Sequence, residues 1–292
     1  MASLAARILG LYLRKRVKPR LAKAPSPQEA ARALDARPPF FPAPLGVATR
    51  RGGVEGLLLP AKGAAPRARL LYLHGGAYFA GAPSLYGPVL NFFARAGFEV
   101  FAPAYRLAPL HPFPAALDDA RAAFDALCAQ EGAPFVLAGD SAGGGLALAL
   151  MAAQRDAGRP LPKAAALFSP WTDLAATGAS ARENEARDAL FTRLMLRVGA
   201  RAYLAGQNAK TPLASPLYAA LHGLPPLVVH ASEDELLRDD ATRLVERGRE
   251  AGVAAALRLW PGVPHGWQLA APLMREARES LDAAAAFLLE RV

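Results

Sequence analysis

Ser141 is the residue of this chain best placed to act as a nucleophile. Residues 139–143 read G-D-S-A-G and fit the pattern G-x-S-x-G. An apolar run precedes them and an Ala/Leu-rich run follows, so the pattern predicts a strand, a sharp turn and a helix. Such a turn strains the serine backbone, and the positions two before and two after it must be small. The helix that follows would stabilise negative charge developing beside Ser141.

A serine hydroxyl is a weak nucleophile and needs a general base, most often a histidine. Three histidines follow Ser141, namely His222, His230 and His265. His230 ends an apolar strand, which favours a structural role, and His222 lies in the loop leading into that strand. His265 lies in a Gly/Pro-rich loop after the last predicted strand, where ligand-contacting loops collect. The sequence therefore favours His265 as the base.

The base in turn needs an orienting acid, expected on the loop after the preceding strand. Glu233, Asp234 and Glu235 follow the predicted strand at 227–230. We choose Asp234, and Glu233 and Glu235 stay open as alternatives because spacing does not separate them. All three are also compatible with solvated acids at the start of a helix.

A second loop is a candidate for stabilising an oxyanion. Residues 74–76 read H-G-G and follow the apolar strand predicted at 69–73. Adjacent glycines let the backbone approach a substrate and direct its N–H groups inward. The amides of Gly75, Gly76 and Ala142 are therefore predicted to form a three-donor pocket. The alternative is a tight turn that contains a structural histidine.

Strand and helix patterns alternate from about residue 53, which predicts an α/β fold with a mostly parallel central sheet flanked by helices. The predicted strands cover 54–59, 69–73, 99–101, 135–138, 164–168, 227–230 and 255–259. The predicted helices cover 85–96, 115–130, 145–156, 240–251 and 273–289. Several strands are almost wholly apolar, as burial on both faces requires.

Two regions interrupt this alternation and together predict a helical cap. Residues 1–44 form an N-terminal cap segment, and 45–292 form the catalytic domain with a cap insertion at about 174–223. Pro38, Pro39 and Pro42 mark the expected passage from cap to core.

The composition restricts the chemistry and the compartment. A chain of 292 residues with 53% hydrophobic residues can bury a large core. The single cysteine, Cys128, excludes an intramolecular disulfide and fits a reducing cytoplasm. No metal-ligand spacing is present, and the chemistry expected of Ser141 requires no metal or organic cofactor. No apolar run approaches the about 20 residues of a membrane-spanning helix.

The net charge of +9 is concentrated near the N-terminus, because residues 1–37 carry +7 of it. No nucleic-acid-binding module accompanies this charge, so no nucleic-acid partner is expected. Leu4, Ile8, Leu11 and Tyr12 recur at helical spacing in the same region. This apolar stripe would suit an anionic membrane surface, but we expect it to pack over the protein's own active site.

Taken together, these motifs resemble the hormone-sensitive-lipase-like family of α/β-hydrolase esterases, also called bacterial family IV carboxylesterases. The resemblance covers roughly residues 68–290. It rests on residues 74–77 (H-G-G-A for H-G-G-G), 105–114 (Y-R-L-A-P-L-H-P-F-P), 139–144 (G-D-S-A-G-G), 169–174 (S-P-W-T-D-L), 234–239 (D-E-L-L-R-D for D-P-L-x-D) and 265–267 (H-G-W for H-G-F).

The resemblance implies Ser141 as nucleophile, His265 as general base and acid, and Asp234 as orienting acid. It also implies Gly75, Gly76 and Ala142 as oxyanion donors. The implied reaction is hydrolysis of short- to medium-chain carboxylic esters through an acyl-enzyme, with a small-molecule ester as substrate and a homodimer as a possible assembly. A lactonase or amidase with the same three residues is the alternative, followed by a non-catalytic ligand-binding protein.

Overall fold

The structure is a computed structural model that describes residues 2–24, 26–35, 42–63, 65–129 and 134–292. Pro38 and Pro39, predicted to mark the passage from cap to core, lie outside the described residues, whereas Pro42 is within them.

An eight-stranded sheet forms the centre of the fold, in the order β1-β2-β4-β3-β5-β6-β7-β8. Strands β3 to β8 run parallel to one another, and β2 pairs antiparallel with both β1 and β4. The strands are β1 (Val47–Arg51), β2 (Val54–Leu59), β3 (Ala68–Leu73), β4 (Phe98–Pro103), β5 (Phe135–Asp140), β6 (Ala165–Phe168), β7 (Leu227–Ser232) and β8 (Ala255–Trp260). The parallel arrangement brings the loops after β3, β5, β7 and β8 to one edge of the sheet.

Helices cover both faces of this sheet. They are α1 (Leu4–Tyr12), α2 (Lys18–Lys23), α3 (Pro27–Leu34), α4 (Gly87–Arg95), α5 (Ala115–Cys128), α6 (Ala142–Asp156), α7 (Ser180–Glu183), α8 (Arg193–Leu204), α9 (Arg238–Glu250) and α10 (Arg275–Leu289). Alternate side chains of β3 show the two layers. Leu71 and Leu73 pack in the core beneath α5, α6 and α9, whereas Leu70 and Tyr72 pack beneath α4 and α10.

The α/β fold predicted from the sequence is confirmed, and one strand was missed. Strand β1 is an edge strand whose residues are half-buried or exposed, so it lacks the apolar pattern that identifies the buried strands. A signal for it exists, because Gly52 and Gly53 both have positive φ angles and join β1 to β2 in a two-residue hairpin.

Both predicted cap regions contain helices in the part of the chain that the structure describes. Helices α1 and α2 are joined by a π-helical turn, Leu13–Val17, and α2 and α3 both contact α8 of the insertion. No helix in the described part of the chain is long and apolar enough to cross a membrane. The division of the chain at residue 44 stays a prediction.

Most of the N-terminal apolar stripe does not pack inward, contrary to the expectation from the sequence. Leu4, Ile8, Leu11 and Tyr12 are all at least half exposed, with exposed fractions of 52–72%. The opposite face of the helix is the buried one, and its Ala6 is fully buried. Both faces of this helix carry apolar residues, so helical periodicity alone could not identify the inner one.

Candidate active site

Ser141 lies at a sharp turn between β5 and α6, as the sequence predicts. Its backbone angles are φ 53° and ψ −122°, a strained conformation for a residue with a side chain. The turn requires glycine two residues later, because a Cβ on Gly143 would lie 2.1 Å from the carbonyl oxygen of Leu73. The same holds for Gly139, where a Cβ would lie 2.5 Å from the carbonyl oxygen of Gly143.

Backbone hydrogen bonds hold this turn in place. The Ser141 N–H donates to the carbonyl of Phe168 at 2.8 Å, and the Ser141 carbonyl accepts from the Trp171 N–H at 2.9 Å. Ser141 Oγ makes no hydrogen bond to another described residue, and such bonds at a catalytic serine are often long without a substrate. Helix α6 begins at Ala142, so the amides of its first turn have no acceptor within the helix.

His265 follows β8 and pairs with a buried carboxylate, Glu235. The two side chains are 5% and 1% exposed, and His265 Nδ1 lies 2.6 Å from Glu235 Oε2. The other carboxylate oxygen, Oε1, accepts the backbone N–H of Ser232 at 2.7 Å. Because Nδ1 donates to the carboxylate, Nε2 of His265 is free to accept a proton.

The structure corrects the choice of Asp234 as the acid that orients His265. The Asp234 carboxylate forms an ion pair with Arg187 and remains partly exposed, whereas the next side chain along the turn points inward to the histidine. A signal for Glu235 exists in the sequence. The element D-P-L-x-D has five residues, and counting back from Asp239 places its first residue at position 235.

The surroundings of His265 set the direction of its pKa. Burial alone lowers the pKa of the imidazole, but the hydrogen bond and charge of Glu235, together with the charges of Asp188 and Asp140, outweigh burial and raise it above 6.5. These carboxylates stabilise the imidazolium that would form when the histidine accepts a proton.

This shift predicts the acidic limb of the pH–rate profile. A general base must be neutral, so kcat/KM is expected to fall as pH decreases through a midpoint above 6.5. In the residual activity of Glu235→Gln the midpoint should move to lower pH, because the carboxylate that stabilises the imidazolium is gone. Initial rates on p-nitrophenyl acetate between pH 5 and pH 9 measure both profiles. A wild-type midpoint below 6.5 would contradict the upward shift of the His265 pKa.

Gly75 does not offer its amide to a substrate, contrary to the prediction from the sequence. Its N–H donates to Asp140 Oδ1 at 3.0 Å and to the Tyr86 hydroxyl at 2.8 Å. The amides of Gly76 and Ala77 donate to no acceptor among the residues that the structure describes. Gly76 has a φ of 127° and Ala77 a φ of 52°, so the backbone bends sharply at this point.

A buried network beneath this loop was not foreseen from the sequence. Asp140 accepts hydrogen bonds from the hydroxyls of Tyr72 and Tyr86, both at 2.9 Å, as well as from Gly75. Burial raises the pKa of Asp140 to about 6 despite these bonds. The network ties the loop after β3 to the residue before Ser141, so Asp140 has a structural role.

His74 and the candidate base His230 have structural roles, whereas the other candidate, His222, is exposed. His74 is buried, stacks on the Tyr105 ring at 4.3 Å, and has its pKa lowered to about 4 by burial. His230 is bonded to Ser280 Oγ at 2.8 Å, and burial likewise lowers its pKa to about 4. Neither histidine lines the cavity that contains Ser141.

Ser141 and His265 line one cavity of about 240 Å³. Its walls come from the loop after β3, from both cap regions and from residues 266–270. The apolar side chains of its walls include Leu9, Leu13, Val17, Leu34, Leu190 and Phe191. The Phe191 ring also packs edge-on against the His265 ring, with centroids 4.8 Å apart. The cap therefore encloses the serine and histidine, and Tyr12 is the residue of the apolar stripe that lines this cavity.

Asp188, in the insertion, links the cap to the acid loop. Its Oδ1 accepts the N–H groups of Leu190 and Phe191, and its Oδ2 accepts the N–H of Leu236, at 2.7–2.9 Å. Asp188 is buried, and it joins the cavity wall to the turn that carries Glu235. No motif in the sequence identifies this residue, because an Asp that accepts amides can occur in any loop.

Comparisons with known proteins agree with this arrangement. Residues 70–269 match the model of a family described as having the alpha/beta hydrolase fold. An acetyl-hydrolase of Streptomyces hygroscopicus is 45% identical over 222 residues, which are 75% of this chain and 74% of the relative. An esterase of Acinetobacter venetianus is 33% identical over 242 residues, which are 82% of this chain and 80% of the relative.

Solved structures extend the similarity to the cap regions. The crystal structure of an esterase from the bacterial hormone-sensitive lipase family superposes with a TM-score of 0.89 at 36% identity, covering 100% of this chain and 99% of that one. A hormone-sensitive lipase from a metagenome library has a TM-score of 0.89 at 34% identity, covering 98% and 99%. The chain is thus a carboxylic-ester hydrolase, and it belongs to the hormone-sensitive-lipase-like family of α/β hydrolases.

Proposed function

We propose that this enzyme hydrolyses short- to medium-chain carboxylic esters through an acyl-enzyme on Ser141. The observation that carries the proposal is the buried hydrogen bond between His265 and Glu235, in a histidine that shares a cavity with Ser141. A histidine oriented in this way can activate a serine hydroxyl.

In the first half of the reaction, Ser141 Oγ attacks the ester carbonyl carbon while His265 Nε2 accepts the hydroxyl proton. The negative charge on the carbonyl oxygen is stabilised by the amides of Gly76, Ala77 and Ala142. The C–O bond to the alcohol then breaks, and His265 returns its proton to the leaving oxygen. Glu235 stabilises the imidazolium throughout and keeps its own negative charge.

In the second half, water replaces the alcohol. His265 removes a proton from the water as it attacks the acyl carbon, and the bond to Ser141 Oγ breaks. The histidine then gives the proton back to the serine, and the carboxylic acid leaves. The reaction needs no further reactant, and the enzyme returns to its starting state.

The cavity supports the proposed preference for short acyl chains. Its volume of about 240 Å³ lies below the about 300–1,000 Å³ typical of pockets for drug-sized ligands. The apolar wall from Leu190 and Phe191 suits an alkyl chain.

For the enzyme's location we propose the cytoplasm, on the basis of the single cysteine, Cys128.

A panel of p-nitrophenyl esters from acetate to palmitate tests the substrate class. We expect kcat/KM to be highest among the acetate to hexanoate esters and to fall for decanoate and longer chains. The p-nitroanilides of the same acids, and γ-lactones of comparable carbon number, distinguish the esterase from an amidase or a lactonase. A maximum at palmitate would contradict the acyl preference, and faster turnover of lactones or anilides would contradict the ester assignment.

A further inference from the structure

An exposed apolar stripe runs along the outer face of α1. We define the outer stripe as Leu4, Ile8, Leu11 and Tyr12, spaced by four, three and one residues so that they share one side of the helix. They account for four of the ten large apolar side chains that are markedly exposed in the described part of the chain. An apolar patch concentrated in this way on a soluble enzyme indicates an interaction surface.

Contacts with the protein body fix this helix with the outer stripe facing solvent. Ser3 donates to Glu276 of α10 through its N–H at 2.6 Å and through its hydroxyl at 2.7 Å. Lys18 donates to the carbonyls of Glu185 and Asp188, and Arg14 to those of residues 186 and 187. These bonds hold the segment at its start and near its end, so the stripe cannot turn inward without breaking them.

Positive charge accompanies the stripe. Residues 2–24 contain seven Lys and Arg residues and no acid. Arg7, Arg14, Lys15 and Arg16 are exposed; Arg7 lies within the span of the outer stripe, and the other three follow it along the chain. The side chains of Lys15 and Arg16 make no hydrogen bond or ion pair with another described residue. An apolar stripe bordered by cations is the pattern of a helix that lies in the interface of an anionic bilayer.

One end of the stripe also adjoins the cavity that contains Ser141. Tyr12 belongs to the outer stripe and lines the cavity, and its neighbours Leu9 and Leu13 line the cavity wall. A surface that covered the stripe would therefore lie next to this cavity.

We propose that the enzyme docks on anionic lipid surfaces through the outer stripe and the cations of residues 7–16. The stripe enters the boundary between headgroups and acyl chains, and Arg7, Lys15 and Arg16 contact lipid phosphates. A second copy of the chain fits this surface less well, because a two-fold contact would bring the same uncompensated cations together. This docking goes beyond ester hydrolysis and does not depend on it.

The test measures binding of the full chain to sedimented vesicles at 100 mM salt. One set contains phosphatidylcholine with 30% phosphatidylglycerol, and the other contains phosphatidylcholine alone. We expect at least tenfold tighter partitioning onto the anionic vesicles, reduced at 1 M salt because the charges are screened. Partitioning that is equal on both sets, or absent from both, would overturn the proposal.

Two variants and a control separate the contributions of the outer stripe and the cations. Leu4→Ser/Ile8→Ser/Leu11→Ser and Lys15→Glu/Arg16→Glu should each weaken binding to anionic vesicles at least tenfold with unchanged melting temperature, since these side chains are exposed. Leu110→Ser, at a leucine that is 81% exposed, should leave binding unchanged. Wild-type binding by the triple variant would overturn the proposal. So would a dimer in solution that dissociates in the triple variant while vesicle binding is absent.

Discussion

Replacing Ser141 with alanine is expected to lower kcat/KM for p-nitrophenyl butyrate by about 10⁴-fold or more, the scale seen when the nucleophile of a serine hydrolase is removed. The physical reason is that no other hydroxyl in this turn can form the acyl-enzyme. The substitution should not disturb the fold, because Ser141 Oγ has no hydrogen-bond partner among the described residues and alanine leaves the backbone unchanged. Steady-state rates on the purified variant provide the measurement.

The control for this variant is its thermal stability. Ser141→Ala should melt within a few degrees of the wild type, so that the loss of activity cannot be attributed to unfolding. A folded Ser141→Ala variant that retains more than about a hundredth of wild-type activity would contradict the assignment of the nucleophile.

Glu235→Gln is expected to lower kcat/KM by about 10²- to 10⁴-fold. Glutamine has nearly the same shape as glutamate, but it cannot stabilise the imidazolium of His265 by charge. Its amide can also present an N–H group to Nδ1, which would favour the wrong tautomer of the histidine. Measurement of kcat and KM should show the loss mainly in kcat, because the carboxylate acts on the histidine and does not contact the ester.

The adjacent acid offers a matched control. Asp234→Asn removes a charge one residue away but leaves the His265–Glu235 hydrogen bond in place. The ion pair between Asp234 and Arg187 is partly exposed, and such pairs contribute at most about 1 kcal/mol to stability. Even if that whole amount were lost from the transition state, the rate would fall only about fivefold. We therefore expect Asp234→Asn to retain activity within about fivefold of the wild type. An inactive Asp234→Asn beside an active Glu235→Gln would reverse the assignment.

Asp234 and Glu235 show which features of this site can be predicted from the sequence and which cannot. Local sequence patterns predict the strands and the Gly-rich turns. The order of these elements in turn places the serine, the histidine and the acid loop at one edge of the sheet. The choice between Asp234 and Glu235 depends on which side chain a turn directs inward. The side chains of neighbouring residues in a turn point in different directions, so a shift of one residue decides which carboxylate contacts His265.

The role of the Gly75 amide, in the loop after β3, could likewise not be predicted from the sequence. The sequence identifies the glycines, but it does not reveal that Asp140 and Tyr86 already accept the Gly75 N–H. That contact joins residues far apart in the chain, and no local pattern encodes it. The backbone of Ala77 has a positive φ, which accounts for the preference for glycine at this position in the family pattern.

The N-terminal helix was predicted as an element but assigned the wrong inner face. Its outward residues are large and its buried Ala6 is small, the reverse of the usual expectation that large apolar residues lie inside. A small residue allows the helix to approach the body closely, and the larger side chains are left on the surface.

The most direct test of the roles assigned to Ser141 and Glu235 is covalent trapping with diethyl p-nitrophenyl phosphate. This reagent phosphorylates an activated serine and releases p-nitrophenolate. We predict release of one equivalent per wild-type chain, one diethylphosphoryl group on the peptide that contains Ser141, and no labelling of Ser141→Ala. Glu235→Gln should be labelled at Ser141 at least about a hundredfold more slowly than Asp234→Asn. A label on another residue, or a Ser141→Ala variant that is labelled as fast as the wild type, would contradict the assignment of Ser141 as the nucleophile.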